Sequence, residues 1–311
     1  MADATPNRID VHHHISPPGY IAELDPKGIL TRETRAWTPQ QSIDLMDQGG
    51  IQVALTSITT PGLWFGDAMA AKKLARLCND YAAGLVADHP KRFGMFVNLP
   101  MPDIAASLKE IEYGLDVLKA DGVVFFTSYG DKWLGDPAFD PVFDELNRRK
   151  AVVYTHPTTA TCCTNLLHGI GDPIIEYGTD TTRCIAQIVL TGRAARFADI
   201  RFIWSHGGGT MPFLLVRFTR AAKGQFKNNL PKGFLHEARR FYYDTAAVYA
   251  RAPLLALREA VTLEQIVFGT DVPWGDPAEI AKDVAECGVF SADELRKIDR
   301  DNALRILPQF C

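Results

Sequence analysis

Asp10-Val11-His12-His13-His14 is the sharpest chemical signal in the sequence. Side chains alternate along an extended strand, so His12 and His14 project to one side and His13 to the other. Two imidazoles aimed at one point suit zinc, manganese or iron. A solvated histidine run is the competing reading, and the strand-like stretch ahead of the run argues against it. Two more histidines close apolar runs. His156 follows Val152-Val153-Tyr154-Thr155, and His206 follows Phe202-Ile203-Trp204-Ser205. Asp271 closes Ile266-Val267-Phe268-Gly269-Thr270. Taken singly, each of the three reads as a structural histidine or a helix-capping aspartate. Together with the pair on the first strand they suggest one site built from several strand ends.

Such a site needs a scaffold that brings strand ends together. Short β-rich runs recur at residues 8–12, 53–58, 92–98, 122–126, 151–156, 201–206, 240–244 and 265–269. Several are continuously apolar, as strands covered on both faces by helices are. Helical patterns fill the gaps, at 68–87, 103–119, 141–149 and 181–197. Thr38-Pro39-Gln40-Gln41 and Ser291-Ala292-Asp293-Glu294 read as capped helix starts. Eight strands alternating with helices predict a single-domain (β/α)8 TIM barrel spanning residues 1–311, with insertions after strand 1 (15–38) and strand 5 (157–180). Both insertions follow strand C-termini, the face on which this architecture carries its active sites. The aromatic residues Trp64, Phe65, Tyr129 and Trp274 also follow strand ends and are candidates to pack on a substrate ring, with loop packing as the alternative. Arg183 could hold a carboxylate, or pair with Asp180 three residues back, and the second reading is preferred.

Composition narrows the classes of function. The chain has 311 residues, 47% hydrophobic and 23% charged, which is ordinary for a globular protein. A net charge of -4 argues against a nucleic-acid partner. No run approaches a membrane span, and the first ten residues contain no apolar core of signal-peptide length. The six cysteines show no CxxC spacing, so a reducing cytoplasm is the expected location. Cys162 and Cys163 follow His156 in sequence and could line the pocket.

The sequence resembles the amidohydrolase superfamily, within it the branch of aminocarboxymuconate-semialdehyde decarboxylase and related aromatic acid decarboxylases. The resemblance rests on IDVHHHISPP, RFGMFVNLPMPD, LGDPAFDPVFDELNRR, VVYTHP, DIRFIWSHGGGTMPFL, YYDTAA and IVFGTDVPWG. ALTSITTPGLWFGD and DTTRCI look most like 6-methylsalicylate decarboxylases. The resemblance implies that His12, His14, His156 and Asp271 bind one divalent metal ion, zinc or manganese, with no organic cofactor. It makes His206 an acid/base or substrate-orienting residue, and the family's members are commonly homodimers or homotetramers. Some salicylate-type enzymes of the branch begin with Glu-x-His, whereas this chain has His12. No lysine occurs in GVVFFTSYG after strand 4, which favours a mononuclear site.

The implied reaction is metal-dependent, non-oxidative decarboxylation of a small ortho-hydroxybenzoate such as 6-methylsalicylate. Its proton donor is Asp271 or His206. A lactone or amide hydrolase on the same scaffold is the alternative, since both use the same ligands. A non-catalytic binding protein would be expected to lack part of the ligand set.

Overall fold

The computed structural model describes residues 7–311, so residues 1–6, part of the stretch read for a leader, lie outside the described residues. Eight parallel strands form one sheet in chain order: β1 (Arg8–His14), β2 (Ile51–Ser57), β3 (Phe93–Asn98), β4 (Gly122–Phe126), β5 (Val152–His156), β6 (Arg201–Trp204), β7 (Tyr242–Asp244) and β8 (Ile266–Val267). The principal helices that follow them are α1 (Pro39–Gln48), α2 (Ala68–Asp88), α3 (Ile104–Glu112), α4 (Asp140–Arg149), α5 (Glu176–Leu190), α6 (Leu215–Lys223), α7 (Arg251–Ala260) and α8 (Pro277–Glu286). The sheet curls until its edges meet. Val11 N donates to Phe268 O at 3.0 Å, Asp271 N to His12 O at 2.8 Å, and His14 N to Val272 O at 2.9 Å. Asp10 staples the same seam, accepting from the Thr270 hydroxyl at 2.6 Å and the Thr270 amide at 3.1 Å. This is the expected (β/α)8 barrel.

Two apolar layers hold it. Ile9, Val11, Val53, Leu55, Phe96, Tyr154 and Ile203 fill the barrel's inside, joined by Ala303, Ile306 and Leu307 near the C-terminus. A second layer lies between strands and helices, where Phe143 of α4 packs against Phe125, Phe197 and Phe202. Burial of these side chains, each worth about 1.5–3 kcal/mol, is the main source of stability.

Several boundaries differ from the sequence reading. Strand 8 stops at Val267 because the backbone then turns to other partners. Phe268 N donates to Ile298 O, and Gly269 N to the Thr245 hydroxyl. Strand 6 ends at Trp204, since His206, Gly207, Gly208 and Gly209 all have positive φ and form a tight turn. The fifth helix begins at Glu176, not Thr181, and stops short of Gly192, which has a left-handed φ of 81°. The insertion after strand 5 is correspondingly shorter. Thr38 and Ser291 do cap their helices, accepting from the Gln41 and Glu294 amides.

Strand β1 does not alternate simply. Asp10 pairs with Ala54 and His13 with Thr56, so three steps on β1 match two on β2. This is a β-bulge, one extra residue that re-aims the strand. Val11 joins the interior cluster, and His12 directly after it also meets the interior residue Tyr154. Asp10 and His13 share the other side, hydrogen-bonded to each other at 3.2 Å, while His13 also reaches Ser42 of α1 at 2.8 Å.

Candidate metal centre

The bulge delivers His12 and His14 to the C-terminal mouth of the barrel, where His156 from the end of β5 and Asp271 from beyond β8 meet them. One donor atom from each of the four lies within 4.8 Å of the others, the one such group of ligating side chains found among the described residues. His12 Nε2 is 3.0 Å from His14 Nε2, and Asp271 Oδ1 is 3.1 and 3.2 Å from those two nitrogens. Ligands at about 2.1 Å from one ion sit roughly 3.0–3.4 Å apart when their bonds subtend octahedral or tetrahedral angles, so the spacing suits a divalent cation.

The surrounding hydrogen bonds fix which nitrogens face inward. His12 Nδ1 lies 2.8 Å from Asp244 Oδ2, and His156 Nδ1 lies 2.8 Å from Pro157 O. Both partners can only accept, so each Nδ1 carries hydrogen and each Nε2 of the neutral ring presents a lone pair. His14 Nδ1 pairs with the Ser57 hydroxyl at 3.1 Å. Asp271 Oδ1 is buried and receives no hydrogen bond. Inward lone pairs and an orphaned carboxylate oxygen are what a cation would satisfy, and the residues therefore fit a metal ion.

The electrostatics agree. Burial opposes charge on His12, but Asp271 and then Asp244 outweigh it and raise its pKa to about 10. Burial lowers that of His14 to about 4 and pushes His156 well below the usual histidine range. Asp271 is held well below the carboxylate range, the charge on His12 overcoming the effect of burial. The pocket thus calls for positive charge beside two carboxylates, which a bound cation would supply.

His206 stands beside this group, its Nε2 3.2 Å from Asp271 Oδ2. Its amide donates to Asp244 Oδ1 at 2.8 Å, and Asp244 thereby ties β7 to both His12 and His206. Both His206 and Asp271 are non-glycine residues at positive φ, 53° and 64°, the kind of local strain that clusters at functional sites. Gly269 permits the close packing behind them. A Cβ there would lie 2.8 Å from that of Asp244 and 2.9 Å from that of His12.

A cavity of about 510 Å³ opens over His156, His206 and Asp271. Trp274 lines it and packs edge-on against His14, with ring centroids 5.9 Å apart. Tyr177 of α5 lines it too, 6.0 Å from His156, and its hydroxyl is hydrogen-bonded to that of Thr60 at 2.8 Å.

Of the sequence candidates, the structure brings His12, His14, His156, His206, Asp271 and Trp274 together. Trp64, Phe65 and Tyr129 instead line a second cavity of about 290 Å³. The Tyr129 hydroxyl is occupied by the Phe126 amide at 3.0 Å. Arg183 lines neither cavity and reaches Glu176 at 3.2 Å and Asp180 at 3.9 Å. Cys162 and Cys163 sit in the turn Thr161–Cys163, whose Thr161 lines the second cavity. Sequence reasoning gave no role to Asp244, Ser57, Asp10 or Tyr177. Asp244 had a usable signal, an acid at the end of an apolar strand, and Asp10 stood in the histidine motif itself, but Ser57 and Tyr177 had none.

Comparison with known proteins places this geometry in a family. The amidohydrolase family profile matches residues 9–309. The chain is 39% identical to decarboxylase yanB of Aspergillus niger, over 98% of this chain and 88% of the relative. It is 32% identical to a 6-methylsalicylic acid decarboxylase of Penicillium expansum, over 97% and 96%. Its fold matches a crystal structure of a dihydroxybenzoic acid decarboxylase from Polaromonas sp. JS666, solved with manganese and the inhibitor 2-nitroresorcinol, at a TM-score of 0.81 and 20% identity, over 97% of both chains. With its barrel, its convergent imidazoles and its late aspartate, the chain belongs to the amidohydrolase family.

Proposed function

We propose that the protein is a metal-dependent, non-oxidative decarboxylase of a small aromatic acid bearing an ortho hydroxyl, 6-methylsalicylate being the leading example. The observation that carries this reading is the convergence of the His12, His14 and His156 imidazoles on the Asp271 carboxylate, with His206 beside them at an open cavity. Both relatives named above are decarboxylases, which favours this over hydrolysis on the same scaffold. His12, His14, His156 and Asp271 would hold the ion, zinc or manganese, and the manganese of the Polaromonas structure supports the second. When bound, the ion supplies positive charge for the substrate carboxylate and its neighbouring oxygen.

The chain's own residues supply the rest. A free aryl carbanion is too high in energy, so the ring carbon bearing the carboxylate takes a proton first. The C–C bond then breaks, its electron pair returns to the ring, and CO2 leaves with a phenol. In this reading the Asp271–His206 pair, 3.2 Å apart, holds and delivers that proton. Tyr177 and Trp274 give the ring two aromatic surfaces at the cavity's inner edge.

The test is metal-reconstituted protein with 6-methylsalicylate, followed by ultraviolet absorbance and trapped CO2. Equimolar CO2 and 3-methylphenol are expected. A fully metal-loaded protein that releases no CO2 from any ortho-hydroxybenzoate, yet opens lactones or amides, would overturn the proposal.

A further inference from the structure

Among the described residues, no lysine or arginine lines the cavity over the metal centre. Arg183 is paired with Glu176 and Arg35 with Asp25, each at 3.2 Å. The hydroxyls of the wall are partly committed as well. That of Thr60 is bonded to Tyr177, and that of Thr210 lies 3.0 Å from the Thr182 hydroxyl. The rest of the lining includes Pro173, Ile174, Val248 and Trp274.

Charge counting follows. Asp271 and Asp244 together balance one divalent cation, so the loaded centre is near neutral. One substrate carboxylate can face the cation directly. A second, elsewhere in the cavity, would lose part of its hydration and meet no lysine or arginine among the lining residues, and a partly buried charge without a partner is disfavoured. Ile174 is informative here because it is 75% exposed. A side chain so open contributes little to the core, so folding does not require it to be apolar.

Resting on the decarboxylase reading above, we infer that the cavity selects monocarboxylates with an apolar ring substituent, and that Ile174 at its rim is a determinant of that selection. Dicarboxylates of the same shape are excluded by charge, not by size. Isoleucine at this position provides an apolar edge where a cation would otherwise admit the second acid.

The experiment compares 6-methylsalicylate with 3-hydroxyphthalate, in which the methyl is exchanged for a carboxylate, on metal-loaded protein. The monoacid should be favoured in kcat/KM by about 100-fold or more, the scale on which unpaired polar groups set specificity. Ile174→Arg should shift that ratio about tenfold toward the diacid, mainly through KM, whereas the neutral Ile174→Gln should not. Metal content and thermal midpoint of both variants establish that they fold. Wild-type turnover of the diacid within about threefold of the monoacid overturns the inference, and an unchanged ratio in a folded Ile174→Arg removes Ile174 from it. If neither acid releases CO2, 6-methylsalicylate is ruled out as the substrate. Charge selection is then read by calorimetric binding of the same two acids, where equal affinities overturn it.

Discussion

Replacing Asp244 with asparagine changes one atom of a fully buried side chain, yet it should disable the metal centre. Asp244 Oδ2 accepts from His12 Nδ1 at 2.8 Å, while Oδ1 accepts from the amides of His206 at 2.8 Å and Ala246 at 3.1 Å. Asparagine has one acceptor oxygen for these three donors. If that oxygen faces His12, two buried amides lose their acceptor, at about 1–3 kcal/mol each. If it faces the amides, the new NH2 meets His12 Nδ1, and the imidazole must shift its hydrogen to Nε2. A protonated Nε2 cannot ligate. The second arrangement keeps more hydrogen bonds and should dominate. Loss of such a supporting carboxylate typically weakens metal binding 10–100-fold, about 1.4–2.8 kcal/mol. Titration with metal in chelator-buffered solution should show that drop, with circular dichroism unchanged. Wild-type affinity in Asp244→Asn, within about threefold, would refute the tautomer argument.

Other perturbations test other parts of the structure. Gly269→Ala sets a methyl against the Cβ atoms of Asp244 and His12, and overpacking of this kind costs about 1–3 kcal/mol. Thermal melts should show the loss, together with reduced metal uptake, and a fully stable, fully loaded variant would disprove the close approach. Dialysis against a chelator should lower the melting temperature, because an ion at 100 times its Kd stabilises by about 2.7 kcal/mol. Adding manganese or zinc back should restore it, and indifference to both would exclude a bound metal. Phe143→Ala removes a ring packed between Phe125, Phe197 and Phe202, at about 3–5 kcal/mol by denaturant titration. Since Phe143 lies in the helix-facing layer, activity per folded molecule should hold, and a specific loss of kcat would contradict that separation of layers.

The parts of the site legible in the sequence were those encoded locally. His156 and Asp271 each follow an apolar run, and His12 and His14 belong to a strand-like stretch, so their strand character is readable, and a barrel gathers strand ends at one mouth. Long-range register was not readable. The bulge in β1 exists only as a mismatch between Asp10–His13 and Ala54–Thr56, which no stretch of β1 alone reveals. Asp244 acquires its role from a histidine 232 residues away. Trp64, Phe65 and Tyr129 follow strands as expected, but a strand end specifies the face of a barrel and not which of two neighbouring cavities a side chain lines. The early start of α5 brings Tyr177 onto a helix, and the polar run Glu176–Asp180 gave no sign of that.

The seam between the first and last strands has a temporal meaning for the growing polypeptide. His12 and His14 leave the ribosome together, whereas Asp271, the carboxylate that completes the site, follows only after the intervening strands have been made. At bacterial or eukaryotic elongation rates of about 5–20 residues per second, that separation is on the order of tens of seconds. Throughout that interval the nascent chain offers an incomplete chelate, so metal loading is expected to follow ring closure, and a cell short of the ion should accumulate finished, empty barrels in place of stalled fragments.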